Sequence, residues 1–411
     1  METYPSISFD NTEFAFEYKS DKELKRAHFL FTTMGKPWLV KTGLRLTPPA
    51  IRWNLPFVRT IIRNTIFQQF VGGETLPETA KVVNKLQHYH VQVILDYGVE
   101  GGDDGEAGFD HAGEEFIKVI NYAATQPNIP FMSVKVTGIA RTGLLEKLDT
   151  MMHQLEGTLI KRYMKAIESL PDNEKQEWEN IRKRMLRICE TAAASNVGVL
   201  IDAEETWIQD PVDALTILMM DHFNKEKAIV YNTTQHYRHD RLQFLIDSYE
   251  AAVERNFILG AKLVRGAYME KERNRAAEMG YPSPIQPDKE STDKDFNEGV
   301  KFCIDHIDRV ALIVSSHNEY SNLYTTELLK QKGLPYNHPR VHFSQLFGMS
   351  DNITFNLAHA GCSVSKYLPF GPIQHVIPYL MRRAQENSSV AGQTGRELSL
   401  IRKEQERRGK S

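Results

Sequence analysis

Beyond residue 90 the chain alternates short apolar, β-branched runs with longer stretches of helical periodicity. Eight such runs occur: Val91–Asp96, Met132–Gly138, Val197–Ala203, Ala228–Thr233, Leu259–Gly266, Val310–Ser316, Val341–Leu346 and Ser363–Tyr367. Continuous apolar runs suit strands buried on both faces, as a parallel sheet requires. Helical patterns follow most of them, over Pro211–His222, Arg238–Arg255, Lys294–Asp308, Tyr320–Lys332 and Ile373–Gln385. Eight strand–helix units over roughly 300 residues fit an α/β fold of the (β/α)8 TIM-like barrel type, which takes about 250 residues plus insertions. A doubly wound open sheet is the alternative on pattern alone.

Three regions depart from this rhythm. Residues 1–90 form an N-terminal helical region, with helices expected at Lys22–Thr33, Ile51–Val71 and Thr75–His90, punctuated by Pro48-Pro49 and Gly72-Gly73. The second of these mixes Arg52, Arg59 and Arg63 with bulky apolar residues. It reads either as a helix packed on the main domain or as one lying on an anionic membrane surface. Within the barrel region, 91–390, residues 144–194 form a charged insert expected to be two helices broken near Pro171-Asp172-Asn173. It is either a plain helical hairpin or an interaction surface. The polar tail, 391–411, predicts a frayed or partner-docked helix.

Composition narrows the class. With 411 residues, 41% of them hydrophobic, the chain can bury a large core. A net charge of −3 gives no basic excess, so nucleic acid is not expected as a partner. No apolar run approaches the ~18 residues of a membrane span. Glu2, Asp10, Glu13 and Glu17 argue against a cationic leader or transit peptide as the chain is written. The expected location is therefore cytoplasmic, peripheral on the inner membrane if bacterial. A matured eukaryotic protein would belong to the mitochondrial matrix or inner membrane. Cys189, Cys303 and Cys362 form no CxxC pair and read as free thiols.

Barrel active sites lie at the strand C-termini, and polar residues collect there. They are Asp96, Lys135, Asp202, Asn232 with Gln235, Arg265 with Tyr268, His317, Gln345 and Tyr367. The last helix carries two stripes. Ile373, Val376, Ile377, Leu380 and Ala384 form a packing face, and Tyr379, Arg382, Arg383 and Glu386 form a polar one. Adjacent arginines beside an aromatic suit a small carboxylate ligand, since a guanidinium fork grips both oxygens. Glu386 would orient Arg382 at i,i+4. A solvated charged face is the equal alternative for this helix taken alone. No GxGxxG, phosphate loop or GxSxG is present. The pairs His88/His90 and His236/His239 lack the spacing of a metal site, and none is expected.

The segments VKVTGIA, LIDAEET, KLVRGAYMEKER, SSHNE, FSQLFGM, KYLPFG and YLMRRAQENSS, in that order, are similar to those of the proline dehydrogenase (proline oxidase) family, in its single-function mitochondrial-type branch. The resemblance covers about residues 91–390 and implies oxidation of L-proline to 1-pyrroline-5-carboxylate, with FAD held at the strand ends and a quinone as electron acceptor. By position it implies cofactor contacts from Asn232, Gln235, Lys262, Arg265, Thr292, His317 and Arg383. It implies a substrate carboxylate paired with Arg382 and Arg383, and a pocket shaped by Lys135, Asp202, Tyr268, Leu346, Tyr367 and Tyr379. Asp96 and Glu100 fall where the family has a carboxylate that closes over the substrate. 4-Hydroxyproline is the competing substrate, disfavoured by the bulk of Tyr367. A silent barrel that only binds proline or a partner is the rival of another class.

Overall fold

Before its first strand the chain is helical: α1 (Thr12–Phe16), α2 (Asp21–Met34), α3 (Pro37–Arg52), α4 (Val58–Ile62), a π-helical turn at Arg63–Phe67, α5 (Gln68–Phe70) and α6 (Leu76–His88). The alternation then runs β1 (Gln92–Tyr97), α7 (Gly105–Ala124), β2 (Phe131–Val134), α8 (Thr142–His153), α9 (Leu159–Glu168), α10 (Asp172–Ser195), β3 (Gly198–Ile201), α11 (Gln209–Phe223), β4 (Val230–Gln235), α12 (Arg241–Glu254) and β5 (Leu259–Val264). It continues through α13 (Met269–Met279), α14 (Lys289–Asp305), β6 (Val310–Ser315), α15 (Glu319–Gln331), β7 (Val341–Leu346), α16 (Asp351–His359), β8 (Val364–Phe370), α17 (Ile373–Ser389) and α18 (Ala391–Gly409). This computed structural model describes residues 4–52, 58–98, 105–389 and 391–409.

The eight strands close into a barrel in chain order. Each apolar run in the sequence carries one of them, buried along most of its length. Strand ends shift by one or two residues in several places, and more at two. β2 stops at Val134 because Val136–Gly138 turn into a 3-10 helix. β8 continues to Phe370, with the Pro369 carbonyl accepting from Gly72 N at 2.8 Å.

The chain divides into two compact units, one of residues 99–342 and one of residues 1–98 with 343–411. In the first, the 144–194 stretch forms parts of three helices rather than two. The extra break falls at Gln154–Thr158, where Gly157 takes φ 117° and Thr158 caps α9 by accepting from Lys161 N. Trp178 on α10 donates to the Tyr163 hydroxyl on α9 at 2.9 Å, tying the pair together.

In the second unit β1 and β8 pair with Ile94 opposite Tyr367, and β7 and β8 with Leu346 opposite Tyr367. Phe16, Leu24, Phe31, Phe70, Met349, Val376, Leu380, Leu400 and Ile401 share one buried cluster. The tail helix α18 is therefore docked on its own chain rather than frayed. Arg408 reinforces it with bonds to Asp21, Phe16 O and Lys19 O. The pattern gave no helix at Pro37–Arg52, because Pro48-Pro49 reads as a break. α3 runs on past that pair, and its Val40 and Leu44 pack against the cluster. The segment expected at Ile51–Val71 is helical from Val58 to Phe70 through the π turn, and residues 53–57 of it lie outside the described residues.

Candidate active site

In the unit of residues 99–342, the strand ends assemble a buried charge cluster. Asp202 follows β3, and its Oδ1 accepts from Lys262 Nζ on β5 at 2.6 Å. Its Oδ2 accepts from Lys135 Nζ, just past β2, at 3.3 Å. Lys135 and Lys262 are buried, so two cations share one carboxylate in a region of low solvation. Glu204 adds a second carboxylate close enough to feel the Lys135 charge.

Past β5, Arg265 is held on three sides. Its Nε donates to Asp293 at 2.7 Å, Nη1 to Ser316 Oγ at 2.7 Å and Nη2 to Ser321 Oγ at 2.9 Å. The guanidinium lies 4.4 Å from the Phe296 ring centroid. Gly266 takes φ 135°, and a Cβ there would meet the Tyr237 ring at 2.5 Å, so the motif admits only glycine at this place. Tyr268, half-buried, stands at the N-cap of α13. Thr292 is buried one residue before Asp293, its hydroxyl donating to Asp288 O at 3.2 Å.

Asn232 and Gln235 on β4 are both buried, and their amides are largely committed to protein. Asn232 Nδ2 donates to Asp213 at 2.9 Å while its Oδ1 accepts from Thr233 N at 2.9 Å. Gln235 Nε2 donates to Glu204 O at 2.7 Å. Among the described residues, Ser315 Oγ at the end of β6, two residues before His317, is buried without a partner.

Glu204 is the residue the sequence reading passed over, although it stands two places after Asp202 in IDAEE. Its carboxylate accepts from Thr137 Oγ1 at 2.8 Å, and burial pushes its pKa up to about 7 against the pull of Thr137 and Lys135. Asp213, which orients Asn232, also accepts from Arg241 at 2.6 Å and Gln209 at 2.8 Å. Asp213 and Arg241 sit on helices, where no strand-end rule finds them.

The histidine pairs hold no metal geometry. His236 is buried, and burial with the nearby Arg241 and Arg265 drops its pKa to about 3. Among the described residues one trio, Asp149, His153 and Asp210, brings ligand atoms together. Arg162 already lies 3.3 Å from Asp210, and the trio is an ion-pair staple between α8 and α11.

In the other unit, α17 presents Tyr379, Arg382, Arg383 and Glu386. Arg383 Nη2 donates to Glu386 Oε1 at 2.6 Å at i,i+3, and Arg382, the partner expected at i,i+4, lies near enough for its charge to act on Glu386 as well. Both spacings lie on one helix face, and Arg383 is 6% exposed. Its guanidinium lies 5.2 Å from the Tyr379 ring centroid. Among the described residues, Arg383 Nε and Tyr379 Oη are buried with no hydrogen-bond partner. Buried polar atoms left unmatched in this way call for a partner, whether ordered water, an ion or a ligand. Burial raises the Glu386 pKa, with Arg383 and Arg382 opposing it, and burial likewise raises that of Tyr379. Leu346 and Tyr367 stand side by side as cross-strand neighbours. Asp96, next to last in β1, lies opposite Pro369 and is close enough for its charge to act on Tyr379. Glu100 lies outside the described residues.

The family described as "Proline dehydrogenase" matches residues 79–396. Proline dehydrogenase 1, mitochondrial, of Dictyostelium discoideum is 33% identical over 84% of this chain and 65% of its own length. The Caenorhabditis elegans protein of the same name is 30% identical over 98% of this chain and 88% of its own. Hydroxyproline dehydrogenase of Xenopus laevis is 31% identical over 96% and 88%. Among solved structures, proline utilization A from Bdellovibrio bacteriovorus superposes with a TM-score of 0.68 at 18% identity, covering 93% of this chain and 37% of that one. The chain spans just under two thirds of the slime-mould protein and about a third of the solved bacterial chain. It belongs to the proline dehydrogenase family.

Proposed function

We propose that this chain oxidises L-proline to 1-pyrroline-5-carboxylate with FAD as its cofactor. The observation that carries the reading is the buried Arg383 with its unmatched Nε–H beside the unmatched Tyr379 hydroxyl. A small carboxylate satisfies both kinds of group: the guanidinium supplies a charge-assisted fork, and Glu386 fixes the plane in which it lies. Arg382 would share the carboxylate. Leu346, Tyr367 and Tyr379 would wall the ring, and Asp96 or Glu100 would close over it.

The donor set of the other unit fits FAD. Arg265, locked by Asp293, Ser316 and Ser321, gives a fixed cation for an electron-rich ring edge. Ser315 Oγ is an unspent buried group, and Asn232, Gln235, Lys262, Thr292 and His317 would complete the contacts. When bound, FAD supplies the two-electron acceptor at N5 for the hydride that leaves proline C5. The protein's task is then positioning and desolvation. The ring nitrogen must be neutral for hydride to leave the next carbon. The cations assigned to the substrate carboxylate, Arg382 and Arg383, would disfavour its ammonium form. No dedicated general base is required.

Two finer parts concern where the electrons go. We assign them to a quinone-type acceptor, reached from a peripheral position on a membrane surface. Between residues 24 and 73 the chain carries eight Lys or Arg and no Asp or Glu. Trp38, Leu46 and Ile61 are exposed there. That combination suits adsorption on anionic lipid. Among the described residues no helix is long and apolar enough to cross a membrane.

A second reading, oxidation of 4-hydroxyproline, is favoured by the likeness to hydroxyproline dehydrogenases of Xenopus laevis and Bos taurus. Tyr367, 8% exposed on β8, leaves little room for an added hydroxyl and argues for the unsubstituted ring. The decisive experiment is a purified sample mixed with L-proline without oxygen. A yellow protein that bleaches supports the proposal; a colourless protein, or a yellow one that proline leaves unchanged, overturns it.

A further inference from the structure

The far side of β8 holds a buried ionic cluster for which substrate binding as described above has no use. Lys366, fully buried, lies 2.9 Å from Asp351 Oδ1 and donates to Met349 O at 2.5 Å. The other Asp351 oxygen accepts from the Tyr18 hydroxyl at 2.8 Å and faces Lys19 Nζ at 3.1 Å. Burial alone would push the Asp351 pKa up, but the Lys19 and Lys366 ammoniums outweigh it and hold it at about 2. On α18, Glu397 accepts from the backbone amide of Ser350. Ser350 takes φ 50°, unusual for a residue with a side chain, directly after Gly348 and Met349. Burial and the neighbouring Asp351 raise the Glu397 pKa to about 7, against Lys366 and Lys19.

The Met349–Ser350 segment is the node of a closed ring of contacts that leads to Arg383. Asn387 Nδ2 lies 3.8 Å from Met349 Sδ and donates to Arg383 O at 2.8 Å. Asn387 O in turn accepts from the Thr394 hydroxyl, one helical turn before Glu397 on α18. Thus Lys366 holds Met349, Glu397 holds Ser350, and the backbone of Arg383 is tied to the same segment through Asn387. Burying four ionisable groups together is expensive unless their geometry is put to use. Lys366 also adjoins Tyr367, so the same lysine anchors the strand residue assigned to the substrate ring.

We propose that Lys366, Asp351, Glu397 and Asn387 are positioning residues: a brace that sets where the Arg383 guanidinium meets the substrate carboxylate. This rests on the assignment of Arg383 to that carboxylate.

The test is steady-state kinetics on the flavin-loaded full chain, with cyclopentanecarboxylate as a carboxylate probe. Lys366→Met and Glu397→Ala should each raise the KM for proline by about fivefold or more, with kcat within about threefold of the parent. The inhibition constant of the probe should rise in parallel. Glu397→Gln, which keeps an acceptor for the Ser350 amide, should recover most of the loss. Combined with Arg383→Met, Lys366→Met should add little, because the group it positions is gone. Should Lys366→Met fail to fold, Asn387→Ser and Glu397→Gln against Glu397→Ala carry the same comparison. Unchanged KM in the brace variants, or multiplicative effects with Arg383→Met, overturns the brace alone. Unchanged KM in Arg383→Met itself overturns the underlying carboxylate assignment.

Discussion

Replacing Arg383 by methionine keeps the apolar stem and removes the fork. What the substrate loses follows from the bonds that Arg383 makes. Glu386 uses Nη2, and Nε is unspent, so the contact forfeited is one charge-assisted hydrogen bond together with the attraction of a buried cation. Such a contact contributes about 1.5–3 kcal/mol, which at about 1.4 kcal/mol per decade is a rise in KM of about ten- to 150-fold. The carboxylate does not change charge during the reaction, so ground state and transition state lose the contact together and kcat should fall far less. The fold should tolerate the change. Burial already raises the Glu386 pKa, and without Arg383 that carboxyl moves further toward its neutral form instead of remaining as a stranded charge. The assay is initial rates with a soluble dye acceptor, with L-prolinamide as control, since it lacks the carboxylate and should be indifferent to the substitution. Arg383→Lys, which keeps the charge without the fork, should fall between the two. A KM for proline within twofold of the parent, or an equal loss with prolinamide, would refute the reasoning.

Three further outcomes are expected. Because the folded-state pKa of Glu397 is about 7, above the ordinary 4.5, the folded protein holds that proton more tightly than the unfolded chain does. Stability from this group is therefore fully present below about pH 4.5 and declines by up to about 3 kcal/mol as pH rises through 7. Urea midpoints should show Glu397→Gln gaining on the parent at pH 8 but not at pH 4.5; an equal difference at both would contradict the assignment. Trp38→Ala with Arg59→Gln and Arg63→Gln should abolish co-flotation with anionic phospholipid vesicles while sparing dye-linked turnover, and unchanged partitioning would exclude this face. The ratio of kcat/KM for L-proline over 4-hydroxyproline should exceed about ten and narrow in Tyr367→Ala, consistent with about 1–3 kcal/mol from one steric group; a ratio below one would favour the second reading.

The barrel was legible because each strand is short, apolar and buried on both faces, which leaves a run without alternation in the sequence. The Lys135–Asp202–Lys262 cluster was legible in its members, since polar residues stand out at apolar strand ends, but not in its pairing. The Arg383–Glu386 bond had no mark of its own, because i+3 and i+4 share a helix face. α3 was lost to Pro48-Pro49, where packing of Val40 and Leu44 outweighs the backbone bonds that proline forgoes. Asp213, Arg241 and Glu397 had no local signature at all. Each is defined by partners on other elements, and a single sequence does not state which helix will lie beside which strand.

One feature of the N- and C-terminal segments bears on how the molecule comes into being. Phe16, Leu24 and Phe31 are covered in part by Leu400 and Ile401, and β1 finds its partner in β8. The ribosome makes the 244 residues from 99 to 342 between the two parts of that unit. At about 5–20 residues per second, the early helices wait about 12–50 s for their complement to emerge. During synthesis they are sticky, half-built surfaces, and a holding chaperone has its most obvious client in this stretch.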